Sequence, residues 1–279
     1  MDTANPTRCL AVLEKRDIGR TRHRKDATYT RAVARDVREL GSAWQRFQRH
    51  AFPTPSPDLA GHVARYWLVS WDYAEPYRQL VVPYPNVHLT FRDGRAEVHG
   101  VSSGHQVKVL EGRGHVVGAA FHPGAFRPFL GRPVSTITDR TIDASEVFGP
   151  ELPPDPGVEE VEELLRAHLP ERDAGSEEAV AVVRRIAAEP GITRVDGLAA
   201  EAGTSVRQLQ RLFAEHVGVG PKWVIRRYRL HEVTERLAAG AAIDWAELAA
   251  DLGYVDQAHF IRDFRAMFGE TPTHHAARY

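Results

Sequence analysis

Two short stretches near the end of the chain carry side chains that can read the edges of base pairs. Arg207, Gln208, Gln210 and Arg211 crowd the first; Gln257, His259, Arg262 and Arg265 occupy the second. A guanidinium can pair bidentately with guanine, and a carboxamide with adenine, on the major-groove side of DNA. That chemistry requires the groups to sit on the first turns of a helix that enters the groove. Helical spacing also provides each stretch with an apolar back: Leu209, Leu212 and Phe213 in the first, Phe260, Phe264 and Met267 in the second.

The elements that would position them are repeated. Leu198-Ala199-Ala200-Glu201-Ala202-Gly203 returns 50 positions later as Leu248-Ala249-Ala250-Asp251-Leu252-Gly253. Leu209, Phe213, Gly218 and Pro221 then return as Phe260, Phe264, Gly269 and Pro272 at an offset of 51, so one residue has entered the turn. Each copy reads as helix, glycine turn, helix, over about 192–217 and 243–269. Ser205 and Asp256 fall where the second helix of each copy wants its N-cap, and Ser205 joins the groove-facing set. Between the copies, Pro221 to about Ala239 predicts a single helix about 28 Å long, close to the roughly 34 Å that separates successive major grooves on one face. Arg226, Arg227 and Arg229 on this rod are either phosphate contacts or packing salt bridges.

Charge does not argue for nucleic acid by its sum. The 279 residues carry a net charge of −1, and residues 176–279 hold 13 Lys/Arg against 14 Asp/Glu. Placement of the charges must carry the reading. No apolar run nears the roughly 18 residues of a membrane helix. The lone cysteine, Cys9, excludes a disulfide framework and fits a reducing cytoplasm.

Upstream the texture changes. Residues 1–52 read as a basic, partly disordered extension around Arg20-Thr21-Arg22-His23-Arg24-Lys25, with a helix expected from Ala32 to Phe47. The extension is either an accessory segment or a DNA-touching arm. Pro53-Thr54-Pro55-Ser56-Pro57 opens a mostly-β part, 53–150. Strands are expected at Val63–Trp71, Gln79–Val82, Val87–Phe91, Ala96–His99, Gln106–Leu110 and His115–Phe121, with an Asp93-Gly94 turn. Such short, punctuated strands suggest a sandwich or small barrel. Residues 151–175 read as a linker with a short helix from Val158. Ser176, followed by Glu177 and Glu178, reads as the start of a helix that Glu189-Pro190-Gly191 ends.

Catalytic chemistries fare poorly. His62, His88, His99, His105, His115 and His122 crowd the middle part, so a metal-binding cupin-like enzyme domain is a conceivable alternative, but their spacing matches no zinc or iron motif. A thiol-based alkyl acceptor needs more than one cysteine, and no serine sits in a Gly-x-Ser-x-Gly elbow. No catalytic residue, metal or cofactor is expected. Trp67, Tyr84, Asn86, His88, His122 and Arg127 are candidates to line a small-molecule cavity, or else are plain core. A regulator without any ligand is the further alternative.

The stretches Leu198-Ala199 through Leu209-Gln210-Arg211-Leu212-Phe213, Leu248-Ala249 through Gly253-Tyr254-Val255-Asp256-Gln257-Ala258-His259-Phe260-Ile261-Arg262-Asp263-Phe264-Arg265, and Phe268-Gly269-Glu270-Thr271-Pro272 resemble the AraC/XylS family of transcription regulators. The resemblance covers about Val180 to Tyr279. It implies an all-α domain, 176–279, of two helix-turn-helix units on one long helix, bound to double-stranded promoter DNA in the cytoplasm. It assigns base reading to Arg207, Gln210, Arg211, Gln257, His259 and Arg262; Ala258 departs from relatives, which often carry a polar residue there. The segment from about Pro57 to Pro150, through Arg65-Tyr66-Trp67, Val82-Pro83-Tyr84-Pro85-Asn86-Val87-His88-Leu89 and Phe121-His122-Pro123-Gly124-Ala125-Phe126-Arg127-Pro128-Phe129, resembles, less specifically, a domain that precedes this unit in actinobacterial-type relatives. Family precedent there implies effector sensing or a homodimer, and RNA polymerase as a partner if the protein is an activator.

Overall fold

A computed structural model of the chain describes residues 43–238 and 243–277. Cys9, the basic stretch at 20–25 and most of the helix expected from Ala32 lie outside the described residues. The described end of that segment is a 3-10 turn, Ala43–Arg46, followed by a strand, β1 (Gln48–Ala51). β1 pairs with the next strand from Gln48 opposite Trp71 to Ala51 opposite Leu68, so the strand-rich part begins ahead of the proline run.

The remaining strands are β2 (Val63–Val81), β3 (His88–Arg92), β4 (Arg95–His99), β5 (Gln106–Phe121) and β6 (Thr141–Asp143). They form one antiparallel sheet in the order β1-β2-β5-β3-β4-β6. The mostly-β expectation thus takes the form of a single sheet, not two stacked ones. Among the described residues no pairing joins β1 to β6. The Asp-Gly turn between β3 and β4 forms as expected, with Asp93 at φ 52° and Gly94 at φ 72°, the left-handed pair that suits a two-residue hairpin.

Two expected breaks are not breaks. β2 runs through residues 72–78 and β5 through Glu111–Gly114, because Trp71, Asp72 and Tyr73 find partners in Gly114, Arg113 and Gly112. The pairing is interrupted only by register shifts between Val63 and Arg65 and between Tyr73 and Tyr77. Glycines serve here as seats for rings: a Cβ at Gly114 would overlap the Trp71 indole, and one at Gly118 the Trp67 indole. Both tryptophans therefore lie flat on β5.

The other face of the sheet carries the core. Tyr66, Leu89, Phe91, Val117 and Phe121 are buried there with Phe126, Val134, Ile137 and Phe148 from the short helices α1 (Arg127–Leu130) and α2 (Ser145–Phe148) and their connections. Helix α3 (Val158–Ala167) packs in the same core through the fully buried Val161 and Leu165. Residues 151–175 are therefore not a free linker: each such burial contributes about 1.5–3 kcal/mol, and Glu162 ties α3 to the proline run by accepting from the Ser56 N–H at 2.9 Å and the Ser56 hydroxyl at 2.5 Å.

The helical half follows as α4 (Ala174–Ala188), α5 (Val195–Glu201), α6 (Val206–His216), α7 (Pro221–Ala238), α8 (Trp245–Asp251), α9 (Gln257–Phe268) and α10 (Pro272–Ala276). α4 begins two residues earlier than Ser176 because Asp173 is the cap that takes the Ser176 N–H, at 3.1 Å. The sheet's core continues without a gap into Ala179, Val183, Leu198, Leu209, Phe213, Val224 and Ile225. A second core begins at Leu230 and gathers Leu248, Phe260, Phe264, Met267 and Phe268.

Candidate nucleic-acid interface

The two repeats fold alike to the level of single hydrogen bonds. In the first, Gly203 N–H donates to Ala200 O at 3.1 Å and Thr204 N–H to Ala199 O at 3.0 Å. In the second, Gly253 N–H donates to Ala250 O at 2.8 Å and Tyr254 N–H to Ala249 O at 2.9 Å. Gly203 and Gly253 take φ of 65° and 68°, a left-handed turn that a Cβ would strain. Each turn hands the chain to a capped second helix. Ser205 Oγ accepts from Gln208 N–H at 3.2 Å, and Asp256 Oδ1 from His259 N–H at 2.6 Å.

One face of α6 and of α9 is consumed by packing. Leu209, Phe213, Phe260, Phe264 and Met267 are at most 1% exposed, while Leu212 is half-buried at the rim. That rim belongs to a groove of about 490 Å³ between α4 and α6, lined by Glu178, Gln208, Arg211, Glu215 and His216 among others.

The opposite faces hold the nine residues singled out from the sequence. Ser205, Arg207, Gln208, Gln210 and Arg211 on α6, and Gln257, His259, Arg262 and Arg265 on α9, are all exposed. Arg185, Arg194 and Arg236 nearby are each engaged by a carboxylate. Arg207, Arg211, Arg262 and Arg265 form no ion pair among the described residues, so their donors stay available. Gln208 is half-committed: its side-chain oxygen accepts from the Ser205 N–H at 3.0 Å and leaves the amide donors outward. His259 lies 3.7 Å from Asp263, which also engages Arg226 at 3.3 Å.

Sequence reasoning passed over Val255. It is 90% exposed immediately ahead of the α9 cap. Its signal was an apolar residue placed inside a turn.

The three arginines of α7 resolve toward packing. Arg227 is 2% exposed, donates from Nε to Pro83 O at 2.5 Å and lies 3.9 Å over the Tyr84 ring. Arg229 stacks 4.5 Å over Tyr254, and Arg226 pairs with Asp263. Arg227 thereby ties α7 to the segment after β2, a connection that Trp223 Nε1 reinforces by donating to Ser103 O at 2.8 Å, while Arg226 and Arg229 tie it to the second repeat.

The six residues suggested for a small-molecule cavity are scattered. Trp67 Nε1 donates to His88 Nδ1 at 3.2 Å, so these two meet. Asn86 is turned to the backbone oxygen of Phe121 at 2.5 Å. Tyr84 faces His231 and Arg227, Arg127 pairs with Glu215 at 2.9 Å, and His122 lies 3.2 Å from Ala60 O. Burial, with Arg65 and His99 beside it, pushes the His88 imidazole down to about 3. Burial and Arg184 take His122 to about 4. Among the described residues no three His, Cys, Asp or Glu side chains gather in a way that could hold a metal ion, and no helix is long and apolar enough to cross a membrane.

Residues 198–278, both repeats together, match a family described as a helix-turn-helix domain. Residues 52–143 match DUF6597, described as a domain of unknown function. The HTH-type transcriptional regulator GlxA of Rhizobium meliloti (strain 1021) is 38% identical over 71 residues, 25% of this chain and 22% of that protein. The chain thus spans about a fifth of that relative's length. Among solved structures, an AraC-type DNA-binding-domain regulator from Chromobacterium violaceum is 26% identical, covering 38% of this chain and 96% of the other at a TM-score of 0.34. ToxT from Vibrio cholerae is 8% identical, covering 83% of this chain and 98% of the other at a TM-score of 0.40. With its paired, identically turned repeats, the C-terminal part of the chain carries an AraC-type helix-turn-helix domain.

Proposed function

We propose that the protein is a sequence-specific DNA-binding transcription regulator. Helices α6 and α9 enter successive major grooves on one face of the duplex, and the sheet half adjusts that grip in response to a small-molecule effector. The observation that carries the reading is the repetition of one device: the same two-bond glycine turn, a capped second helix, and an exposed face of unpaired arginines. α7 supports the spacing, since its 18 residues give a rod about 27 Å long. Arg207, Gln210, Arg211, Gln257, His259 and Arg262 take the base edges in this reading. Val255, at the mouth of α9, offers an apolar contact of the kind that thymine methyl groups accept.

The test is selection of bound fragments from random-sequence DNA by the full chain, followed by footprinting of the winners. Two protected blocks about 10 base pairs apart are expected. A single block, or fragments with no shared sequence, overturns the two-groove reading. The same footprint reads the assembly, because one copy protects two blocks and a pair of copies protects four.

A further inference from the structure

The two repeats share a backbone but differ at one place behind the groove-facing side chains. At the offset of 51, Leu212 of α6 corresponds to Asp263 of α9, and Gln208 to His259. Leu212 packs against the apolar core. Asp263 brings a carboxylate whose side chain is only 19% exposed. A charge set that far from water is costly unless it is paired, and Asp263 is paired twice. Its Oδ1 accepts from Arg226 Nη1 of α7 at 3.3 Å. Its Oδ2 lies 3.7 Å from His259 Nε2, one turn back along α9. The His259 ring also stands edge-on to Tyr254, with 5.2 Å between centroids. Tyr254 is buried and lies under the Arg229 guanidinium of α7, 4.5 Å from its ring. His259 thus rests against two groups that α7 holds in place, while its own side chain is 47% exposed. Gln208, at the same place in α6, is held by the Ser205 cap instead.

We propose that Asp263 is a specificity-determining positioning residue of the second unit: anchored by Arg226, it aims the His259 imidazole at one base pair without touching the DNA itself. An imidazole turns about two bonds and samples several rotamers when nothing holds it. A fixed carboxylate beside Nε2 selects one of them before DNA arrives, which lowers the ordering cost of the contact. It also leaves a single ring nitrogen to face the groove, and so narrows the base edges that the ring can satisfy. Base preference under α9 is then set by a residue one layer behind the contact, whereas under α6 the equivalent position is plain packing. The inference rests on the two-groove reading above and names what sharpens its second half.

The experiment is competition binding by the full chain, using the selected site and duplexes with each single base-pair change inside both protected blocks. The variants are Asp263→Leu, which copies the first repeat, His259→Ala, and the two combined. The block under α9 is the one that Arg262→Ala weakens. Asp263→Leu is expected to lose discrimination by about fivefold or more at one base pair of that block, the same base pair at which His259→Ala loses it, and to leave the α6 block unchanged. In the His259→Ala background, Asp263→Leu should cost nothing further, a non-additivity that mere loss of stability does not produce. Asp263→Ala carries the same expectations and suits a helix at least as well, so it decides the matter if the leucine variant loses its circular-dichroism spectrum. The proposal is overturned if the folded variants keep the parent's preferences, if their loss persists in the His259→Ala background, or if His259→Ala loses no discrimination. The parent's own footprint keeps the two readings apart. Two blocks with an indifferent residue 263 remove this inference alone, and a parent that protects no α9 block removes the two-groove reading with it.

Discussion

Ser205 and Gln208 close on each other at the mouth of α6. The serine hydroxyl accepts from the Gln208 N–H at 3.2 Å, while the glutamine side-chain oxygen accepts from the Ser205 N–H at 3.0 Å and its hydroxyl at 2.7 Å. Two of the helix's orphan donors are satisfied by this exchange. Gln208 is thus a structural residue first, and a contact residue only through its remaining amide donors. Gln208→Ala is expected to lower stability by about 0.5–1 kcal/mol and to change sequence preference less than Arg211→Ala does. Denaturant melts alongside competition binding with altered sites check both halves of that statement.

Arg211 and Arg262 have no such second duty. Each is exposed and free of ion pairs among the described residues. Arg211→Ala and Arg262→Ala should each cost about 1–3 kcal/mol of specific binding and relax preference at one base pair. Non-specific affinity should fall far less. Equal losses on specific and random duplexes would show that these side chains touch phosphates and carry no sequence information.

Val255 separates stability from recognition cleanly. At 90% exposure it contributes little to the fold. Val255→Ser should leave the melting temperature within error and weaken binding to the selected site. Affinity unchanged on that site removes Val255 from the interface.

Acid should loosen the protein earlier than carboxylate titration alone explains. Burial, with Arg65 and His99 beside it, holds His88 at about 3. His122, desolvated beside Arg184, and His231, desolvated beside Arg227, are both held at about 4. A histidine depressed below its unfolded value of about 6.5 binds fewer protons when folded, so its stabilising share is complete above that pH and is lost as the pH falls toward the folded value. At pH 5 the loss is on the order of 1 kcal/mol per histidine. The melting temperature should therefore drop between pH 7 and pH 5, and His122→Gln should flatten part of the slope. A flat profile over that window contradicts the burial of these rings.

The helical half was legible because its information is local. A glycine between two alanine-backed helices, a cap residue two or three positions on and an apolar face at helical spacing are all short-range signals, and Gly203, Ser205, Gly253 and Asp256 sit where the spacing put them. The sheet was less so. Nothing in Glu111-Gly112-Arg113-Gly114 reports that Trp71, Asp72 and Tyr73 will pair with it, since that pairing spans about forty residues of sequence. β1 was missed for the same reason: Gln48–Ala51 has no strand pattern of its own and is a strand because β2 offers an edge. The burial of Arg227 was equally illegible, since it is decided by Pro83 and Tyr84 more than 140 positions away.

The two apolar clusters part company midway along α7, between Ile225 and Leu230, and not at the segment that joins the sheet to the helices. The first helix-turn-helix unit therefore shares its interior with the sheet, whereas the second stands on a separate cluster of eleven buried side chains, with Val82 and Trp223 packed at its edge. Warming or proteolysis meets two bodies of unequal size. The smaller should yield first, which under the two-groove proposal leaves one recognition helix on the DNA and frees the other.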